Sequence, residues 1–283
     1  MITVKEMLYE WLQVYVKPCR ATNTYLCYQG TIERILKQAP EYRTKPITDI
    51  QEIEIQKLLN TLSLVYSKST LRKVRTVFHE AFDAAVRNND CSRNPINCLT
   101  IPKRASEKKV RALTYAEQKQ VESAAIKDPL GHIVIFLLYT GLRASELCNL
   151  QWKDYDQSGE KIHINMSKTS AGIRAIPLLP IAKKIIEQRP HFCDYIFTST
   201  IKKPVTKTVL QKLSYRMRRA TGINWITTHV YRHSFATRLV EKGVNYKALA
   251  ALLGHTDIAF TLQRYTDAEE DFLRKQIFLL DKK

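Results

Sequence analysis

No C-x-x-C pair occurs among the six cysteines, which stand at positions 19, 27, 91, 98, 148 and 193. A structural zinc site is therefore not expected, and a chain of 283 residues is too large to need a disulfide framework. Free thiols are expected. His229 and His233 stand four apart and could face one way on a helix, but the Glu of an H-E-x-x-H metal motif is missing. The reading is no metal and no cofactor. Long apolar runs are absent too. The longest, Ile133 to Tyr139, falls far short of the roughly 20 residues that a membrane-spanning helix needs. Glu6 and Glu10 break up the amino terminus where a signal peptide would be uninterruptedly apolar. The expectation is a cytoplasmic protein with no membrane partner. Internal repeats and low-complexity tracts are likewise lacking.

Acidic residues are in short supply: 27 Asp plus Glu face 45 Lys plus Arg, a formal net charge of +18. A field of that sign concentrates polyanions, and with no membrane segment in view the polyanion is nucleic acid. Hydrophobic residues make up 45% of the chain, enough to fill cores and to exclude wholesale disorder.

The first ninety or so residues predict helices over Val4 to Val16, Thr22 to Ala39, Ile50 to Leu62 and Ser69 to Asn88. The last is the clearest, because Leu71, Val74, Phe78, Ala81, Phe82 and Ala85 recur at three- and four-residue steps, with Asn94-Pro95 as the stop. Lys68, Arg72, Lys73 and Arg75 crowd its polar side, either as a DNA-phosphate surface or as a solvated basic face. A polar, basic stretch without apolar periodicity follows, from Ile101 to Arg111. It suggests a boundary between a domain at 1–102, a linker at 103–111 and a second domain at 112–283. Divided at residue 105, the first part carries 16 basic against 10 acidic residues, a net of +6, and the second 29 against 17, a net of +12. DNA would touch both.

In the second part Thr114 and Glu117 have the spacing of a helix-opening capping box. Helices are expected at 129–140 and 143–150, then two strands at Lys161 to Met166 and Ile173 to Leu178 around a Ser-Lys-Thr-Ser-Ala-Gly turn. Further helices are expected at 181–188, 205–220, 228–242, 245–253 and 257–266. The predicted fold class is mainly α with a small antiparallel β-sheet.

Five segments of this part hold basic or nucleophilic residues beside helix ends and turns: Thr140 to Leu147, Ser167-Lys168-Thr169, His229 to His233, Leu253-Gly254-His255, and Gln263-Arg264-Tyr265. Singly each has an ordinary explanation, such as an Arg143–Glu146 pair one helical turn apart. In order and spacing, together they resemble the tyrosine recombinases of the phage integrase family. The resemblance is most specific in Thr140 to Leu147, in His229 to Leu239, and in Leu252-Leu253-Gly254-His255 followed ten residues later by Tyr265. It implies a helical core-binding domain joined to a mixed α/β catalytic domain, in the two-domain form without an arm-binding domain.

The resemblance assigns the family's active-site arginines to Arg143 and Arg232, its hairpin lysine to Lys168, its histidine-type positions to His229 and His255, and its nucleophile to Tyr265. Glu146 would orient Arg143. These residue types suit the chemistry. Attack on a phosphodiester gathers negative charge on the non-bridging oxygens, and guanidiniums are permanently charged forks matched to phosphate. A phenol that ionises near pH 10 needs a base, here His229, while Lys168 would protonate the departing 5′ oxygen. The implied reaction is site-specific cutting and rejoining of DNA through a 3′-phosphotyrosine, as in integration or excision of a mobile element or phage. A type IB topoisomerase and a non-catalytic DNA-binding protein are the alternatives.

The family's practice implies a tetramer on double-stranded DNA, linked by a carboxy-terminal helix in which Leu273, Ile277 and Leu280 share a face; the ordinary reading is that this helix packs on its own domain. An accessory directionality factor is a further possible partner. On the helix at 205–220, Lys212, Arg216 and Arg219 form a basic stripe suited to DNA.

Overall fold

The computed structural model describes residues 1–107, 111–165 and 172–254, and the chain falls into two compact units, Met1–Lys109 and Val110–Lys283. The first is all helical. Helix α1 (Val4–Trp11) opens on a reciprocal cap in which the Thr3 amide donates to Glu6 Oε2 at 2.9 Å and the Glu6 amide to Thr3 Oγ1 at 3.2 Å. It runs on as a single π-helical turn, Leu12–Val16. Helices α2 (Thr22–Gln38), α3 (Glu52–Leu62) and α4 (Lys68–Arg87) follow. The stripe expected on α4 is buried throughout, and α1, α2 and α3 pack on it. Phe78 lies edge-on to Tyr42 and beside Phe82 at the centre of this core.

Asn94-Pro95 is not what ends α4. The chain turns at Asn89, whose φ of 64° is left-handed, and Asn94 folds back to donate to the His79 carbonyl at 3.1 Å. The stretch expected as a linker also packs at its described ends. Ala105 is buried in the first core, Arg104 Nε donates to Ser63 Oγ at 2.7 Å, and the Lys68 amide donates to the Ser106 carbonyl at 2.9 Å. At the other end, the Arg111 guanidinium stacks on the Trp225 ring of the second unit.

The second unit opens with α5 (Tyr115–Ile126), capped by Thr114 and Glu117 as their spacing requires. The apolar helix α6 (Gly131–Thr140) is its hub, packed by α5, by α8 (Pro180–Glu187) and by α10 (Thr228–Glu241). The short α7 (Ala144–Asn149) leads to a three-stranded antiparallel sheet ordered β1 (Tyr155–Asp156), β2 (Lys161–Ile164), β3 (Arg174–Pro177). Ile162 opposes Ile176, and with Ile164 they turn one face of the sheet into the core. Strand β1 was not expected from the sequence, since two residues leave no alternation to detect. Helices α9 (Lys207–Thr221) and α11 (Tyr246–Leu253) complete the described part. The helix expected at 257–266 and the carboxy-terminal helix lie outside the described residues.

Among the described residues no helix is long and apolar enough to cross a membrane. The six cysteines are free: Cys19, Cys27 and Cys98 are exposed, and Cys91, Cys148 and Cys193 are half-buried.

Candidate active site

Helix α6 ends at Thr140, and Gly141 at φ 66° reverses the chain so that Arg143 caps α7. A side chain at Gly141 would have to take a rarely populated conformation, and its Cβ would lie 2.3 Å from the Phe235 ring of α10. Glu146, one turn into α7, accepts from the Arg143 amide at 2.8 Å and from Arg143 Nη1 at 2.7 Å.

Glu146 also receives Arg174 from β3, Nη1 at 3.1 Å and Nη2 at 3.0 Å, and Arg232 Nη1 stands 4.0 Å away. Its side chain is only 5% exposed. Burial alone would raise this carboxyl, but the hydrogen bonds from Arg174 and from the Arg143 amide outweigh it and bring it down to about 2. Three guanidiniums around one carboxylate leave a local excess of positive charge. That excess is what a phosphodiester undergoing substitution calls for.

Helix α10 supplies two of the expected residues. His229 is exposed in its first turn, whereas Arg232, one turn on, is buried and donates from Nη1 to the Gly141 carbonyl at 2.8 Å. A cleft of about 660 Å³ opens between α7, α9 and α10, with Arg143, Ser145, Lys207, Arg218, Thr227 and His229 on its walls. His233 is buried, so it does not share an exposed face with His229.

The last described turn, at the carboxyl end of α11, completes the arrangement. Three successive carbonyls each meet a different arginine: Leu252 accepts from Arg174 Nε at 2.7 Å, Leu253 from Arg232 Nη2 at 2.5 Å, and Gly254 from Arg143 Nη2 at 3.0 Å. Cations at a helix carboxyl terminus satisfy orphan carbonyls and favour the helix dipole.

The structure thus brings together Arg143, Glu146, His229 and Arg232. Lys168, His255 and Tyr265 lie outside the described residues, as do the other residues of 166–171, where the turn was expected. Arg174 was missed as a site residue. Its only signal was membership of the strand after that turn, and its partners come from α7 and α11.

The expected DNA-contacting residues are dispersed. In the first unit Arg72, Lys73 and Arg75 are exposed along α4, and Lys68 pairs with Glu107 at 3.1 Å. In the second, Lys212 and Arg216 line a separate cleft of about 650 Å³ and are not brought to Arg143. Arg216 is held there by Asp128, Nε to Oδ2 at 2.6 Å and Nη2 to Oδ1 at 2.9 Å; Arg219 is exposed. The α9 cations that face the Arg143 cleft are Lys207 and Arg218. They share a stripe with Leu210 and Ser214, on nearly the opposite side of the helix from the stripe chosen by sequence. No cluster of His, Cys, Asp or Glu among the described residues is placed to hold a metal ion.

The tyrosine recombinase XerC-like protein of Caldanaerobacter subterraneus subsp. tengcongensis is 24% identical, over 94% of this chain and 79% of its own. Among solved structures, the Tn1549 transposon integrase in complex with a circular intermediate DNA superposes with a TM-score of 0.82 at 23% identity, covering 99% of this chain and 100% of that one. A lambda integrase tetramer bound to a Holliday junction gives 0.78 at 23% identity, over 95% of this chain and 80% of that one. The sequence profile of the phage integrase family matches residues 103–271, well over half of the sequence and the whole of the arginine-lined site just described, and the chain belongs to that family.

Proposed function

We propose that this protein is a site-specific tyrosine recombinase that cuts and rejoins DNA through a covalent 3′-phosphotyrosyl bond to Tyr265. The observation that carries the reading is the convergence of Arg143 and Arg232 on one buried carboxylate, beside a cleft that His229 enters. The scissile phosphate would sit in that cleft. Arg143 and Arg232 would bind its non-bridging oxygens, with His255 donating a further hydrogen bond. His229 would take the proton of Tyr265 as the phenolate oxygen bonds to phosphorus, and Lys168 would give a proton to the 5′ oxygen as its bond to phosphorus breaks. The linkage formed replaces one phosphodiester by another. A new 5′ hydroxyl can therefore reverse the step without ATP.

The protein is a recombinase that binds DNA and works as an oligomer. The finer assignments are residues 1–102 as the core-binding domain, 103–111 as a basic linker and 112–283 as the catalytic domain. Four protomers, each with one tyrosine, would exchange two duplexes. An accessory factor would set direction, and the cytoplasm would be the place of action.

The test mixes the full chain, in EDTA, with duplexes covering the DNA that flanks its gene, and looks for an adduct that survives SDS but not protease. Wild type is expected to form it and Tyr265→Phe is not. An adduct that persists in Tyr265→Phe would move the nucleophile elsewhere, and tight binding with no adduct on any fragment would overturn strand-transfer chemistry altogether.

A further inference from the structure

We infer that Arg174 is a positioning residue for strand cleavage: through Glu146 it fixes the orientation of Arg143, and through two backbone carbonyls it fastens the chain on either side of the site. The inference rests on the recombinase reading above.

Arg174 has no place in the proposed chemistry itself. Its side chain is 6% exposed, and four of its five N–H groups are engaged: Nε with Leu252, Nη1 with Glu146 and Gly172, Nη2 with Glu146. It therefore acts on other groups. Glu146 holds Arg143 by a side-chain and a backbone hydrogen bond, and those bonds fix Arg143 only as well as Glu146 itself is fixed. The fork from Arg174 supplies that, since two parallel bonds set the rotation of a carboxylate as well as its place. The other contacts point the same way. Gly172 lies four residues after Lys168 in the sequence, and Leu252 three residues before His255. One guanidinium thus ties β3, α7 and α11 to a common point, from which the chain leads to two of the expected catalytic groups.

A buried arginine of this kind could serve folding alone, so the test needs readouts that folding would not move. With a nicked duplex carrying the crossover site, the rate of adduct formation at saturating protein and the affinity for DNA are measured separately across pH. The variants are Arg174→Gln, Arg174→Lys, Glu146→Gln and the Arg174→Gln/Glu146→Gln pair, with wild type and Tyr265→Phe alongside. Arg174→Gln is expected to slow adduct formation on the order of 100-fold, the loss that a misplacement of about 1 Å can cause. DNA affinity should change by less than about threefold. Its rate should also gain a further acid limb, beyond the one that a His229 base gives wild type, because Glu146 without its partner takes up a proton more readily. Arg174→Lys keeps the charge but not the fork, so it should remove that further limb and recover only part of the rate. The double variant should be no slower than the worse single one, as two residues acting through one contact require.

An unchanged saturated rate in either Arg174 variant, or losses that add in the double variant, would overturn the inference. If Arg174→Gln does not fold, Arg174→Lys against Glu146→Gln makes the same comparison. If wild type forms no adduct, the recombinase reading falls and this inference with it; if wild type reacts and the Arg174 variants react equally well, only this inference falls.

Discussion

Glu146, buried, and His132, half-buried, are two titratable side chains of the second unit whose charge states follow directly from their surroundings. The Glu146 carboxyl lies at about 2 because the donated hydrogen bonds override burial. Its contribution to stability is complete above the ordinary carboxylate value of 4.5 and is lost as pH falls toward 2, a span on the order of 3 kcal/mol at about 1.4 kcal/mol per unit. His132, stacked on Phe197, is lowered from 6.5 to about 4 by burial first and by neighbouring Arg189 second. The unfolded chain takes up that proton before the folded one, so stability declines as pH drops from 6.5 to 4. Denaturant midpoints followed by tryptophan fluorescence should therefore fall in two steps on acidification. His132→Phe should erase the upper step; if that step remains, the histidine is not its source. At this scale the sequence was uneven. Arg143, His229 and Arg232 were singled out because their motifs are specific, and the structure sets them around one carboxylate and its cleft. Arg174 was not, because its role exists only once β3, α7 and α11 meet.

Among elements, the turn at Gly141 links the two arginines most directly. It sends the chain to Arg143 and offers its carbonyl to Arg232. Gly141→Ala combines an unfavourable φ with a Cβ set against Phe235, and is expected to cost at least about 1 kcal/mol while lowering the cleavage rate more than the loss of folded protein explains. Thermal unfolding and the adduct assay on the same sample check this; a rate that falls only with the folded fraction would make the turn purely structural. Helix positions were readable where periodicity or caps were strong, as on α4 and at Thr114. They failed at finer grain. The π-helical turn after α1 and the two-residue β1 carry no periodic signal, and the choice of face on α9 depended on neighbours: Asp128 from the end of α5 claims Arg216, while Lys207 and Arg218 face the cleft.

For the whole molecule, the two units carry separate cores, and both parts of the chain are net positive. A protein that must hold two duplexes and exchange them needs its protomers linked. The segment expected to carry that link is the carboxy-terminal one that holds Leu273, Ile277 and Leu280. Deleting residues 270–283 is expected to leave binding of a single site within about threefold while abolishing synapsis and recombination, measured by gel shift and by strand exchange on paired sites. If both survive, the segment packs on its own unit. The composition announced the DNA, and the motifs announced the chemistry. Assembly was the least legible property, because it depends on surfaces whose partners belong to another chain. The distribution of thiols adds something practical. Every exposed cysteine lies in the first unit, whereas Cys148, two residues from Glu146, is half-buried with its thiol pushed up by burial. A thiol-directed dye would therefore mark the helical unit of the native sequence and spare the arginine site, giving a reporter of DNA engagement with no engineered residue near the chemistry.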